Sequence, residues 1–139
     1  MKSITSAITS VGGYVPETVL TNFDLEKMVD TNNEWIISRT GIKERRILKD
    51  KSLGTSFMAI NAANKLLQEK DVDPTSIDLV IVSTATPDMP VSSTASFVAT
   101  EIGASNAFGY DIQGACSGFL FGMSAACAHI CSGRYRKVL

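Results

Sequence analysis

The sequence predicts an α/β fold in which helices cover both faces of a mainly parallel sheet. Three observations point to it. Leu79-Val80-Ile81-Val82-Ser83-Thr84-Ala85 is a continuous β-branched run of the kind found in strands covered on both sides. Apolar runs of strand length alternate with stretches whose apolar residues recur at helical spacing. Finally, Tyr110-Asp111-Ile112-Gln113-Gly114-Ala115-Cys116-Ser117-Gly118-Phe119 reads as strand, tight turn, cysteine, helix.

Taken in order, Ile4 to Val11 is apolar with Thr and Ser interspersed and stops at Gly12-Gly13, which predicts a first strand and a turn. Val15-Pro16-Glu17 continues as loop. A helix start follows at Thr21-Asn22-Phe23-Asp24, with Thr or Asn as cap, Asp24 in the first turn, and Leu25, Met28 and Val29 as the apolar face. A second short helix spans Glu34 to Ile37 and is closed by Gly41. Ile42 to Leu48, which carries Lys43, Arg45 and Arg46, reads as an extended surface segment. From Thr55, the residues Phe57, Met58, Ile60, Ala63, Leu66 and Leu67 recur with helical spacing, with Ser52 as the cap and an end near Lys70. Asp71 to Pro74 turns into the strand at 79–85, and Pro87-Asp88-Met89-Pro90 breaks it. Ser93 to Ile102 is a helix stopped by Gly103. Strand 107–112 and the Cys116 helix come next, the latter ending at Gly133, and Lys137-Val138-Leu139 opens a further strand. With no repeat, low-complexity tract or linker, residues 1–139 read as one domain.

Composition narrows the function classes. The 139 residues, 45% hydrophobic and 19% charged, suit a globular chain rather than a disordered one. Thirteen basic residues against fourteen acidic ones give no general attraction to nucleic acid or an acidic membrane surface. No apolar run approaches the roughly 20 residues that cross a bilayer. Met1-Lys2-Ser3-Ile4-Thr5 does not resemble a secretory signal, so the expected compartment is the cytoplasm.

A cysteine taken alone is more often a small buried residue than a functional one. Cys116 differs by context. At the start of a helix, unpaired N–H groups and the dipole favour an anion, and a thiolate is the nucleophile. Cys127 and Cys131 lie i, i+4 on the same helix, whereas His129 points to the opposite side, so no metal site is expected and packing explains the pair. Acyl transfer through cysteine also needs an oxyanion hole and a partner group, usually histidine. The single histidine, His129, lies about 20 Å along the helix from Cys116, and reads as a surface or dimer-contact residue.

The stretch Asp30-Thr31-Asn32-Asn33-Glu34-Trp35-Ile36-Ile37-Ser38-Arg39-Thr40-Gly41-Ile42 resembles the tryptophan and Arg-Thr-Gly-Ile signature of β-ketoacyl-acyl-carrier-protein synthase III, a thiolase-fold condensing enzyme. Gly114-Ala115-Cys116-Ser117-Gly118-Phe119 is similar to the nucleophile motif of that family, and Thr86-Pro87-Asp88-Met89 to the loop before its dimer-contact helix. The likeness runs from about Ser3 to Leu139 and covers the N-terminal part of a family more than twice as long. It implies the N-terminal half of a duplicated, thiolase-like fold with a mainly parallel, mixed sheet.

The resemblance implies that Cys116 takes an acetyl or other short acyl group from coenzyme A, its own N–H serving in the oxyanion hole. Malonyl-acyl carrier protein would then lose carbon dioxide and attack the thioester, in a step that starts fatty-acid synthesis. Trp35 would stack on the adenine of coenzyme A, Thr31 would touch the same base, and Arg39 would lie at the entrance near a phosphate. The indole is a broad stacking face, and Arg39 shares its helical side, which suits a flat base with a charged tail. No other cofactor is implied, acyl coenzyme A being a substrate. A homodimer built on the helix after Met89 and the strand near 107–112 is implied as well. The family's histidine, asparagine, the arginine facing the tryptophan and the later glycine-rich loop have no counterpart here, so residues 1–139 alone are not expected to condense. Val91 stands where many members carry phenylalanine near the acyl pocket, which leaves the acyl length open. Two other readings stay open: a non-catalytic thiolase-fold protein that keeps only coenzyme A or dimer contacts, and a relative that uses another starter for a secondary metabolite.

Overall fold

The computed structural model describes residues 4–139; Met1 to Ser3, part of the stretch read above as no secretory signal, lie outside the described residues. The span read as one domain divides into two compact units, Val15–Leu53 and a second made of Gly54–Leu139 with the residues up to Tyr14. In the Val15–Leu53 unit, β1 (Thr18–Thr21) leads into α1 (Asn22–Glu26), followed by α2 (Asn33–Thr40) and β2 (Glu44–Ile47). β1 and β2 pair antiparallel, from Thr18 opposite Ile47 to Thr21 opposite Glu44. The sequence reading has no strand at 18–21, because four residues beside a proline are too few to display an alternation.

α1 starts where expected. The Thr21 hydroxyl accepts from Asp24 N–H, and the Asp24 carboxylate accepts from the Thr21 N–H and hydroxyl at 3.0 and 2.6 Å. The Thr21 hydroxyl, then its N–H, holds the Asp24 carboxyl below its ordinary range. The expected apolar face is corrected, since the helix stops at Glu26 and Met28 and Val29 are exposed. α2 begins at the Asn32 cap and closes on Gly41 at φ +70°, where a side chain would be strained. One buried polar side chain ties the unit together. Asn22, 1% exposed, donates to the Ile42 carbonyl and to Asn33 Oδ1, and accepts from Arg45 Nη1 at 2.9 Å.

The second unit holds α3 (Thr55–Glu69), β3 (Leu79–Ser83), α4 (Thr94–Glu101), β4 (Phe108–Ile112) and α5 (Gly118–Cys131). β3 and β4 are parallel, from Leu79 opposite Phe108 to Ser83 opposite Ile112. On the other side of β3, Leu79 forms an isolated parallel bridge with Val138: Leu139 N–H donates to Leu79 O and Ile81 N–H to Leu139 O. Where the sequence predicts a strand opening at Lys137-Val138-Leu139, the described residues form this single bridge and no full strand. Helices cover both faces of this sheet. Val80 and Val82 pack toward α4 and, beyond it, α3, in a core with Ala63, Leu67, Ala95, Val98, Ala99 and Ile102. Ile81 and Ser83 face α5 through Gly118 and Gly122. Gly109 is required, because a Cβ there would stand 2.9–3.0 Å from backbone atoms of Ala95 and Ser96.

Two expectations fail in this unit. Ile4 to Val11 forms no strand: it has no ladder partner, and Ile4, Ile8 and Val11 are exposed. Contacts hold the segment instead, with Gly12 against Leu66 and Ser6 against Cys127. α3 is also not capped by Ser52, whose hydroxyl and N–H both bind the Asp50 carboxylate. Its N-cap is Gly54, and the Asp88 carboxylate accepts the Ser56 N–H from thirty-two residues away. A side chain at Gly54 would collide with that carboxylate. Among the described residues no helix is long and apolar enough to cross a membrane.

Asn22→Ala should lower stability by about 1–3 kcal/mol, because it leaves the partners of a buried amide, the Ile42 carbonyl and the Arg45 guanidinium, without their hydrogen bonds. Chemical denaturation reads the loss, and amide exchange should show it first within 33–45. Gly109→Ala should cost about 1–3 kcal/mol, since backbone cannot move aside as a side chain would. For Asp24 the depressed carboxyl gives stability that is full above the ordinary carboxylate range and is lost as pH falls through its lowered native value. Asp24→Asn should flatten that acid limb of the unfolding midpoint.

Candidate active site

Cys116 sits where a parallel sheet presents its ligands, just beyond the carboxyl ends of the strands. β4 ends at Ile112, and a 3-10 turn, Ala115–Ser117, precedes α5. The cysteine thus lies one turn before the α-helix proper rather than inside its first turn, a small correction to the sequence reading. The turn is fixed by backbone bonds, with Ser117 N–H donating to Gly114 O at 2.9 Å and Gly118 N–H to Ala115 O. An N–H at the front of such a turn has no carbonyl behind it and is free to meet an oxyanion. Cys116 is exposed.

Three small residues allow this geometry. A Cβ on Gly114 would fall 2.6 Å from Phe121, so Phe121 lies directly over the turn. Gly118 and Gly122, both buried, bring α5 onto Ser83 at the end of β3; a Cβ on Gly122 would be 2.7 Å from the Ser83 hydroxyl. Ala115, beside these three glycines, adds a constraint that sequence reasoning missed. Its φ is +44°, a left-handed backbone at a residue with a side chain, immediately before Cys116. The run Gly-Ala-Cys-Ser-Gly is a signal of a tight bend, but not of which member takes the strained angle.

Upstream, Asp111 joins β4 to α4. Its carboxylate accepts from Ser93 Oγ at 3.2 Å, Thr94 N–H at 2.7 Å and Ala95 N–H at 2.8 Å. The Thr94 hydroxyl is buried without a partner among the described residues.

Thr31, Trp35 and Arg39 belong to the Val15–Leu53 unit, and there the structure brings them together. Asp30, Thr31, Asn32 and Trp35 line one cleft. Asn32 Oδ1 accepts the Trp35 N–H at 2.8 Å, which fixes the start of α2, and Ile36 is buried beneath. Trp35 is 55% exposed. Arg39 stands with its guanidinium carbon 5.8 Å from the ring centroid, the one-turn neighbourhood expected from the sequence. Cys116 belongs to the other unit.

His129 and the other cysteines differ from expectation. His129 is half-buried, with its ring nitrogen 3.1 Å from the Tyr110 hydroxyl and its ring between those of Tyr110 and Tyr135. It is therefore an aromatic-row residue and not a surface one. Cys127 and Cys131 are exposed, so packing does not explain them.

Comparison with known proteins agrees with this geometry. A profile of 3-oxoacyl-[acyl-carrier-protein] synthase III matches residues 110–139, the strand, turn and helix around Cys116. Over the whole chain, the sequence is 52% identical to a β-ketoacyl-[acyl-carrier-protein] synthase III of Phocaeicola vulgatus and 52% identical to one of Porphyromonas gingivalis. The chain spans 42% of the length of each of these curated relatives. Among solved structures, 3-oxoacyl-[acyl-carrier-protein] synthase III from Aquifex aeolicus aligns with a TM-score of 0.87 at 45% identity, covering 93% of this chain and 41% of that one. The priming β-ketosynthase of the R1128 polyketide pathway aligns with a TM-score of 0.90 at 36% identity, covering 97% and 40%. The thiolase-like fold, the turn at Cys116 and the identity along all 139 residues lead to one conclusion: the chain is similar over its whole length to β-ketoacyl-acyl-carrier-protein synthase III, and spans about two fifths of the length of those relatives.

Proposed function

We propose that this chain supplies the acyl-accepting cysteine and the adenine-binding surface of a condensing enzyme that starts fatty-acid synthesis. The observation that carries the proposal is the placement of Cys116: exposed, at the carboxyl ends of β3 and β4, in a turn held by Gly114, Gly118 and Gly122. The Cys116 sulfur attacks the thioester carbonyl of acetyl or another short acyl coenzyme A. Its own N–H meets the developing oxyanion, the coenzyme A thiol leaves, and the acyl group stays on sulfur. Trp35 stacks on the adenine, Thr31 contacts the same base, and Arg39 meets a phosphate. Malonyl-acyl carrier protein then loses carbon dioxide, and the carbanion attacks the acyl-cysteine to give a β-ketoacyl product. That second half-reaction needs a histidine and an asparagine that residues 1–139 do not offer, since His129 is bound to Tyr110 and lies about 20 Å along α5 from Cys116. No resident cofactor enters the scheme, and the setting is the cytoplasm.

The same reading includes a homodimer through the β4 edge and the segment after Met89. β4 pairs with β3 on one side. Met89, Val91, Phe97 and Phe108 are exposed apolar residues in the strand and the segment concerned, with Val91 97% exposed. An unpaired edge beside apolar side chains favours association.

Acylation is the direct test. Labelled acetyl coenzyme A should leave one acetyl group on Cys116 and none on Cys116→Ala; labelling elsewhere, or none at all, would reject the assignment. Trp35→Ala should weaken coenzyme A binding by about 1–3 kcal/mol, roughly 5- to 150-fold, by titration calorimetry, if the base stacks on the indole. At the turn, Ala115→Val should cost about 1–2 kcal/mol of stability and slow Cys116 acylation, because a β-branched residue resists φ +44°. Ala115→Gly should keep both. Light scattering should give a dimer, and a monomer would reject the interface.

A further inference from the structure

The last turns of α5 bring two more sulfurs together. Cys127 Sγ and Cys131 Sγ are 3.8 Å apart, one helical turn from each other, and both residues are exposed. A third group reaches them from another part of the same unit: the Ser6 hydroxyl donates to Cys127 Sγ at 3.1 Å. A closed, four-ligand metal site does not fit. His129 is turned to Tyr110, and among the described residues no three His, Cys, Asp or Glu side chains converge on one point. Two thiols are enough, however, for a soft three-coordinate centre that brings its own third substituent.

We propose that Cys127 and Cys131 form a dithiol site for trivalent arsenic, closing a ring across one turn of α5. With an organoarsenic oxide, both S–H bonds break, two As–S bonds form, and the two protons leave with the oxide oxygen as one molecule of water. Arsenic stays trivalent, so no oxidant or reductant is needed. Two features favour the reaction. The helix holds the second thiol beside the first, so its bond forms at an effective concentration in the millimolar range or above. The Ser6 hydroxyl, then the Cys131 thiol, holds the Cys127 thiol below its ordinary range, which raises the thiolate share of the first attacker. Cys116 serves as a control within the same molecule. It is a single thiol, eleven residues before Cys127 and about 16 Å along the chain's helical path, with no sulfur contact among the described residues.

Phenylarsine oxide is the probe, added to the intact chain with excess 2-mercaptoethanol to strip any arsenic held by a single thiol. Intact mass should show one phenylarsenic unit, removed by 2,3-dimercaptopropanol. Cys127→Ser and Cys131→Ser should each weaken retention by about 100-fold or more, whereas Cys116→Ser should keep it. Ser6→Ala should move the pH profile of adduct formation upward. Circular dichroism on the serine variants, with alanine replacements as a second set, separates loss of the site from loss of the fold. An adduct that follows Cys116, survives either single replacement in a folded variant, or is stripped by the monothiol would overturn the proposal, as would no adduct.

Discussion

The carboxylate of Asp111 receives three hydrogen bonds from the first turn of α4, two from N–H groups that a helix start leaves without partners and one from the Ser93 hydroxyl. A negative charge at that end also complements the helix dipole. The contact spans sixteen to eighteen residues of sequence and locks β4 to the helix that precedes it. Gly109, two residues earlier on the same face of β4, lets the backbone of α4 approach closely enough for those bonds to form. With α4 so placed, Ala95, Val98 and Ala99 close the core over Val80. The strand then delivers the chain to the turn at Cys116 from a fixed direction.

Beyond that strand the same economy of size continues on the opposite face. Ser83, Gly118 and Gly122 are small because α5 rests almost directly on β3, and Gly114 is small because Phe121 covers it. The cysteine therefore stands on a rigid floor while remaining open to solvent. Ala115 at φ +44° is the local cost of turning from strand to helix so abruptly. The match to the 3-oxoacyl-[acyl-carrier-protein] synthase III profile falls on residues 110–139, the segment that includes the turn.

Much of this was legible in the letters because it depends on local chemistry. The continuous run from Leu79, the cap at Thr21, the helix start at Ser93, and the stops at Gly41 and Gly103 each follow from one residue type doing what only it does well. What was not legible depends on partners distant in sequence. Ile4 to Val11 has the composition of a strand but no ladder to join, and Gly54 caps α3 only because Asp88 arrives from another loop. The roles of Asn22 and Asp111 were hidden for the same reason, as a lone polar residue gives no hint of what it will touch. In the site, Cys116, Trp35 and Arg39 were found by motif, whereas the exposure of Cys127 and Cys131 and the engagement of His129 by Tyr110 needed coordinates.

The interruption of one compact unit by another has a further effect on how the polypeptide acquires its shape during translation. The Val15–Leu53 unit is a continuous stretch whose contacts, including the Asn22 hub, are complete once Leu53 has left the ribosome. The surrounding unit must wait: its β3 cannot pair with β4 until Ile112 has been made, and the strip at Val138 comes later still. Vectorial synthesis thus sets an order in which the Trp35-bearing piece matures first and the thiol-bearing piece closes after it, with the early segment up to Tyr14 held in suspense meanwhile.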